Sequence, residues 1–124
     1  MVQRQWNGVR RMEENQINNY DWIEELPEGW WKLAHAMIYE CESIYPEWKI
    51  TDLKEKWGAI RCYDSGVPST LRNKIDEILD QYENLSSKTC CRCGKSATKI
   101  STGWILPFCD DCIDKNKTYK EIML

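Results

Sequence analysis

The sequence predicts an α+β fold: a small antiparallel sheet with two main helices, followed by a C-terminal unit built on four cysteines. Three features of the chain lead there. Apolar residues recur at three- and four-residue spacing over residues 30–45 and again over 68–85, the period of an amphipathic helix. Between them, over residues 48–63, the period drops towards two, as in a half-buried strand. The last third then holds two C-x2-C pairs, Cys90 with Cys93 and Cys109 with Cys112.

Residues 1–20 are polar and weakly patterned, and support at most a short or frayed helix. Glu13, Glu14, Asp21, Glu24, Glu25 and Glu28 form an acidic stretch that runs into a turn at 27–29. In the first long helix Trp30, Leu33, Ala34, Met37, Ile38, Cys41, Ile44 and Tyr45 share one face. Pro46 ends it, because proline has no N–H and biases its predecessor away from helical backbone. His35, the only histidine, lies beside that face and reads as a surface or partly buried side chain. Trp48, Ile50 and Asp52 then alternate against Lys49, Thr51 and Leu53. Beyond Trp57 and Gly58, Ile60 and Cys62 alternate with Ala59, Arg61 and Tyr63. Two strands of an antiparallel hairpin are expected, closed at 57–58 and followed by a turn at 64–66. The second helix should start at Pro68, a favoured first-turn residue. Leu71, Ile75, Ile78, Leu79, Tyr82 and Leu85 form its apolar face. Ser86 and Ser87 make a natural joint, so the chain divides into an acidic, Trp-rich part, 1–87, and a cysteine unit, 88–124, packed on it.

The cysteine spacing carries the most specific chemistry. Four thiolates can close a tetrahedral shell around Zn²⁺, and the two-residue gap lets the backbone fold into a knuckle whose amides point at the sulfurs. Gly94 stands where such a knuckle needs positive φ. Cys90, Cys93, Cys109 and Cys112 are the expected ligands of one zinc per chain. Cys91 with Cys93 would be too tightly spaced, which leaves Cys91 as a free thiol; Cys41 and Cys62 read as core residues. Residues 97–101 and 104–108 suggest two short strands around Thr102 and Gly103. A helix after Cys112, through Ile113, Asn116, Tyr119 and Lys120, would make the unit treble-clef-like; without it the unit is a zinc ribbon. Four cysteines saturate the metal, so the zinc is expected to be structural rather than catalytic.

No catalytic constellation accompanies it. His35 has no nucleophile partner, the serines lie in no nucleophile elbow, and the glycines form no phosphate-cradling loop, so no enzyme and no catalytic residue is expected. Composition points the same way. Ile, Leu, Val and Phe make up only about 19% of the 124 residues, near the range of disordered chains, but seven Trp and six Tyr can supply a core. No apolar run is long enough to span a membrane, and the start of the chain has no signal-peptide pattern. An odd count of seven cysteines argues for a reducing compartment, hence a cytoplasmic protein. The formal charge is −3, and a Zn²⁺ held by four thiolates brings it to about −5. That disfavours direct nucleic-acid binding, although Arg92, Lys95, Lys99, Lys115, Lys117 and Lys120 give the last third a basic balance. Adjacent Trp30 and Trp31 cannot both face one side of a helix, so this pair, with Glu24, Glu25 and Glu28, is the candidate partner-binding surface.

The segments "LPEGWWKL", "LKEKWGAIRCY" and "CCRCG…GWILPFCDDC" resemble small bacteriophage and prophage proteins that carry a Gly-Trp helix start, a KEK-[FW]-G-x-[IL]-R hairpin and a terminal four-ligand zinc knuckle pair. The likeness covers about residues 26–113. Trp57 departs from the commoner Phe, and the tandem Cys90 and Cys91 is a second departure. In size, acidity and metal content such proteins resemble phage anti-defence proteins, including anti-CRISPR inhibitors of type II effector nucleases. The resemblance implies a monomeric phage protein in the host cytoplasm that binds a host type II CRISPR nuclease and blocks target DNA loading or cleavage. A zinc-ribbon adaptor or transcription-related module contacting nucleic acid is the alternative.

Overall fold

In the computed structural model, which describes residues 18–122, the chain enters through a short 3₁₀ helix, Asn19–Glu25. Asn18 caps it, its side chain accepting from the Tyr20 N–H at 2.8 Å while its own N–H donates to Asp21 at 3.1 Å. Buried Asn19 then ties this segment to the sheet. Its Nδ2 donates to the Trp48 carbonyl at 2.7 Å and to Glu42 at 2.9 Å, and its Oδ1 accepts from the Ile50 N–H at 2.9 Å. The helix expected within residues 1–20 falls, for residues 1–17, outside the described residues.

A second 3₁₀ turn, Glu28–Trp30, leads directly into helix α1, Trp31–Ile44. Ala34, Met37, Ile38 and Cys41 are its buried stripe, spaced i, i+3, i+4, i+7. Helix α2, Ser69–Ser86, lies against it with Ile75, Ile78 and Tyr82 inward. The Tyr82 hydroxyl donates to the Glu40 carboxylate across the pair, and burial, reinforced by that contact, pushes the phenol up to about 12. Leu85, expected on the apolar face, is exposed instead. Ser86 takes the inward place, because its hydroxyl accepts from the Ile60 N–H at 2.8 Å and donates to the Glu83 carbonyl at 2.8 Å.

Strands β1, Lys49–Lys56, and β2, Ala59–Ser65, form the expected antiparallel hairpin. Lys56 pairs with Ala59, so the connection is the two residues Trp57 and Gly58, with φ of 57° and 83°. Positive φ at both positions is the signature of a type I′ turn. One expectation within β1 is corrected. The register slips between Ile50 and Asp52, and a single extra residue turns every later side chain to the opposite face. Leu53 is therefore buried, and Asp52 points outward and pairs with Lys54 at 3.2 Å.

Asp64 locks the open end of the hairpin to α2. The Arg72 guanidinium grips both of its carboxylate oxygens at 2.9 Å, and the Trp48 indole N–H donates to it at 2.8 Å. Burial pushes this carboxyl up, but those hydrogen bonds outweigh it and hold Asp64 below the ordinary carboxylate range.

The C-terminal unit is a three-stranded antiparallel sheet in the order β4-β3-β5, with β3 Lys99–Ser101, β4 Pro107–Phe108 and β5 Tyr119–Glu121. The strand expected over 104–108 shrinks to its last two residues. Ser101 is the reason: its hydroxyl donates to the Trp104 carbonyl and accepts from the Leu106 N–H at 2.9 Å, which draws the intervening residues into a loop. Pro107, lacking an N–H, sits in an edge strand where none is required. The helix considered after Cys112 does not form. Asp114 turns the chain, its side chain accepting from the Asn116 N–H at 2.9 Å and its carbonyl accepting from the Lys117 N–H at 3.0 Å. The chain doubles back as β5, pairing Ser101 with Tyr119. The arrangement is thus ribbon-like rather than treble-clef-like. Among the described residues no helix is long and apolar enough to cross a membrane.

Candidate metal centre

The structure brings Cys90, Cys93, Cys109 and Cys112 together, with their sulfurs all within 4.8 Å of one another and the Cys93–Cys109 pair at 3.5 Å. Four thiolates about 2.3 Å from a tetrahedral centre would stand roughly 3.8 Å apart. Donor number, donor type and spacing therefore fit one metal ion, and an all-sulfur tetrahedron is the coordination that suits Zn²⁺.

Each half of the shell is built locally. In the first knuckle the Cys90 N–H donates to the Lys95 carbonyl at 2.7 Å, and the Gly94 N–H donates back to the Cys90 carbonyl at 3.0 Å. Gly94 has φ of 88°, as the knuckle requires. The Arg92 N–H points at the Cys90 sulfur, 3.4 Å away. In the second, the short 3₁₀ turn Asp110–Cys112 carries Cys112 back over Cys109, its N–H donating to the Cys109 carbonyl at 3.1 Å.

The electrostatics suit a cation. Burial pushes the Cys90 thiol up, but backbone N–H groups of Cys93, Cys109 and Arg92 outweigh that and draw it down to about 6. Cys112 is pushed up to about 12, first by the hydrogen bond it shares with Cys109 and then by burial. Four sulfurs this close cannot all ionise unless a positive charge stands among them, and a dication removes that conflict.

Cys91 is not in the shell. It is buried in the main core, where burial raises its thiol to about 11. Cys41 is likewise buried and pushed up to about 12; Cys62 is half-buried and raised further, again chiefly by burial. All three behave as small apolar residues.

The first knuckle is bonded to the start of α1. The Gly29 N–H donates to the Cys91 carbonyl at 2.8 Å, the Trp30 indole N–H donates to the Thr89 carbonyl at 2.9 Å, and the Cys91 N–H donates to the Pro107 carbonyl at 2.9 Å. A Cβ on Gly29 would lie 2.2 Å from the Cys90 carbonyl oxygen, so only glycine permits this approach. Cys90, Cys91, Phe108 and Cys109 belong to the same apolar cluster as Trp30, Met37 and Ile75.

No protein-family model, curated protein or solved structure matches this chain.

The candidate partner-binding residues divide between surface and core. Glu24, Glu25 and Glu28 are exposed, as is Trp31, whose indole N–H donates to the Leu26 carbonyl at 2.9 Å. Trp30 is corrected: it is 0% exposed, beneath the first knuckle, and cannot touch a partner. His35 is exposed, its ring 4.6 Å from that of Tyr20. Among the described residues two other indoles are more open to solvent than Trp31, Trp57 at 71% and Trp104 at 74% exposure. Sequence reasoning passed over them as turn and strand residues. The signal that could have found Trp57 is its place in a two-residue hairpin turn, where Asn or Gly is usual.

Proposed function

We propose that this chain is a non-enzymatic interaction protein held together by one structural Zn²⁺, and that it acts as a phage anti-defence protein. Its partner in this reading is a basic host nuclease, a type II CRISPR effector, whose target DNA loading or cleavage it blocks in the host cytoplasm. The observation that carries the module is the four-sulfur cluster. Every corner of the tetrahedron is a cysteine, and two of the four are buried, which favours a scaffold role over an open catalytic position. The choice of partner is supported by the phage-like motifs and by the acidic balance. Such nucleases hold their guide–target duplex in a positively charged channel, to which an acidic protein is steered.

The nucleic-acid alternative loses support from the ion pairs. Lys95 is engaged with Asp111 at 3.4 Å, and Lys99 with Glu121 at 2.7 Å and Asp110 at 3.2 Å, so part of the basic excess is neutralised in place. Co-purification with a type II effector, followed by a target-cleavage assay, tests the reading. Complex formation with loss of cleavage is expected. No complex, combined with salt-sensitive binding of the chain to DNA in a gel shift, would replace it with the nucleic-acid reading.

A further inference from the structure

We infer that the groove between the hairpin tip and the ribbon loop is a docking surface, and that its occupant is an arginine or lysine side chain of a basic protein, held against the indoles of Trp57 and Trp104. The groove measures about 310 Å³ and is lined by Glu55, Lys56, Trp57, Gly103, Trp104 and Ile105. The inference rests on the chain being an acidic interaction module, and it names the surface such a module would use.

Four observations converge on this groove. First, Trp57 and Trp104 are the two most exposed large apolar side chains among the described residues, at 71% and 74%. Single exposed apolar residues need no explanation, but these two come from distant parts of the chain and line one groove. Second, Trp57 is held at φ of 57°, a left-handed conformation that a bulky side chain rarely adopts. Strain kept at an exposed position that Asn or Gly would relieve points to a use for the indole. Third, the groove is a built junction. A Cβ on Gly58 would lie 3.2 Å from both the side chain and the carbonyl oxygen of Ile105, so the hairpin tip rests directly on the ribbon loop. Fourth, one wall carries a fixed negative group: the Glu55 carboxylate accepts from the Gly58 N–H at 2.9 Å.

Those features select the occupant. Indole faces are the strongest aromatic partners for a cation, and arginine is the side chain most often found on them. Glu55 adds a carboxylate, and the net charge of −3 favours approach by a basic surface and opposes a phosphate backbone. An apolar side chain would gain nothing from Glu55. Lys56, on the same lining, opposes a cation, and this makes the sign of the occupant's charge measurable.

The test follows the indole N–H resonances of the zinc-loaded, ¹⁵N-tryptophan-labelled full chain. They are assigned with single Trp→Phe variants, and the chain is titrated with an acetyl-Gly-Arg-Gly-Arg-Gly-amide peptide. Saturable shifts of the Trp57 and Trp104 signals are expected, lost when citrulline replaces arginine. Lys56→Glu should tighten the peptide by about fivefold, since it exchanges a repelling charge for an attracting one. No saturable shift at those two indoles would overturn the proposal, as would shifts produced by an oligothymidine and abolished by Lys56→Glu. The parent chain carries the primary readout, so the outcome does not depend on a variant that fails to fold. A double variant, Trp57→Ala with Trp104→Ala, separates the two readings. If the parent captures the nuclease and the variant does so equally well, the surface is wrong and the function stands. If the peptide binds the groove and the nuclease does not, the surface stands and the partner is wrong.

Discussion

Replacing Gly29 by Ala puts the junction between the α1 start and the first knuckle under direct strain. The new methyl would sit 2.2 Å from the Cys90 carbonyl oxygen and 2.6 Å from the Cys91 carbonyl carbon. Both are backbone atoms, so no side-chain rotation relieves the clash. Restoring van der Waals contact moves the two segments apart by roughly 1 Å, which breaks the 2.8 Å hydrogen bond from the Gly29 N–H to the Cys91 carbonyl. Overpacking costs about 1–3 kcal/mol, and a buried pair left unsatisfied adds about 1–3 kcal/mol. A loss near 3 kcal/mol follows, equivalent to roughly 10 °C or more in Tm for a domain of this size. Zinc affinity should fall with it, because the displaced carbonyl belongs to Cys90. Urea denaturation gives the first quantity, and competition with a chromophoric zinc chelator gives the second. A Gly29→Ala protein within about 0.5 kcal/mol of the parent, with unchanged zinc affinity, would refute the close approach of helix and knuckle.

Three further outcomes are expected. Asp64→Asn should lose about 2 kcal/mol at pH 7, since it ends the charged grip of Arg72 on a carboxylate whose side chain is 7% exposed. The Asp64 pKa is depressed in the folded chain, so its contribution is present above about pH 4, the unfolded value, and fades as pH falls through the lower folded value. The gap between parent and variant should therefore narrow in denaturation curves at pH 3, and an equal gap at both pH values would contradict this. Ser86→Ala should cost about 1–3 kcal/mol in the same assay, because it leaves the buried Ile60 N–H without an acceptor. Cys91→Ser should keep its zinc by elemental analysis while Cys90→Ser loses it; the reverse result would move the first ligand by one residue.

The parts legible in the sequence were those whose cause is local. Both long helices follow from three- and four-residue spacing, and the hairpin from two strands around Trp57 and Gly58. The metal cluster follows from the fact that C-x2-C holds two sulfurs on one short loop, whatever surrounds it. What the sequence did not disclose depends on contacts between distant segments. The slip after Ile50 turned Leu53 inward, and no periodicity count can place a bulge that the partner strand imposes. Trp30 and Trp31 looked equivalent as anchors until Gly29 docked on the Cys91 carbonyl and buried Trp30 under the knuckle. The residues after Cys112 could have formed a helix; pairing with Lys99–Ser101 made them a strand. The meeting of Trp57 and Trp104 at one groove is likewise a product of the hairpin tip resting on Ile105.

The measurement closest to the central claim is native mass spectrometry of the full chain, purified without added metal or chelator. The expected spectrum shows one zinc per chain, the dication replacing two protons in the observed mass. Removing the zinc by chelation should abolish the cooperative melting of the C-terminal unit. A metal-free chain that melts as cooperatively as the zinc-loaded one, or a zinc that remains bound in Cys112→Ser, would contradict a structural four-cysteine site.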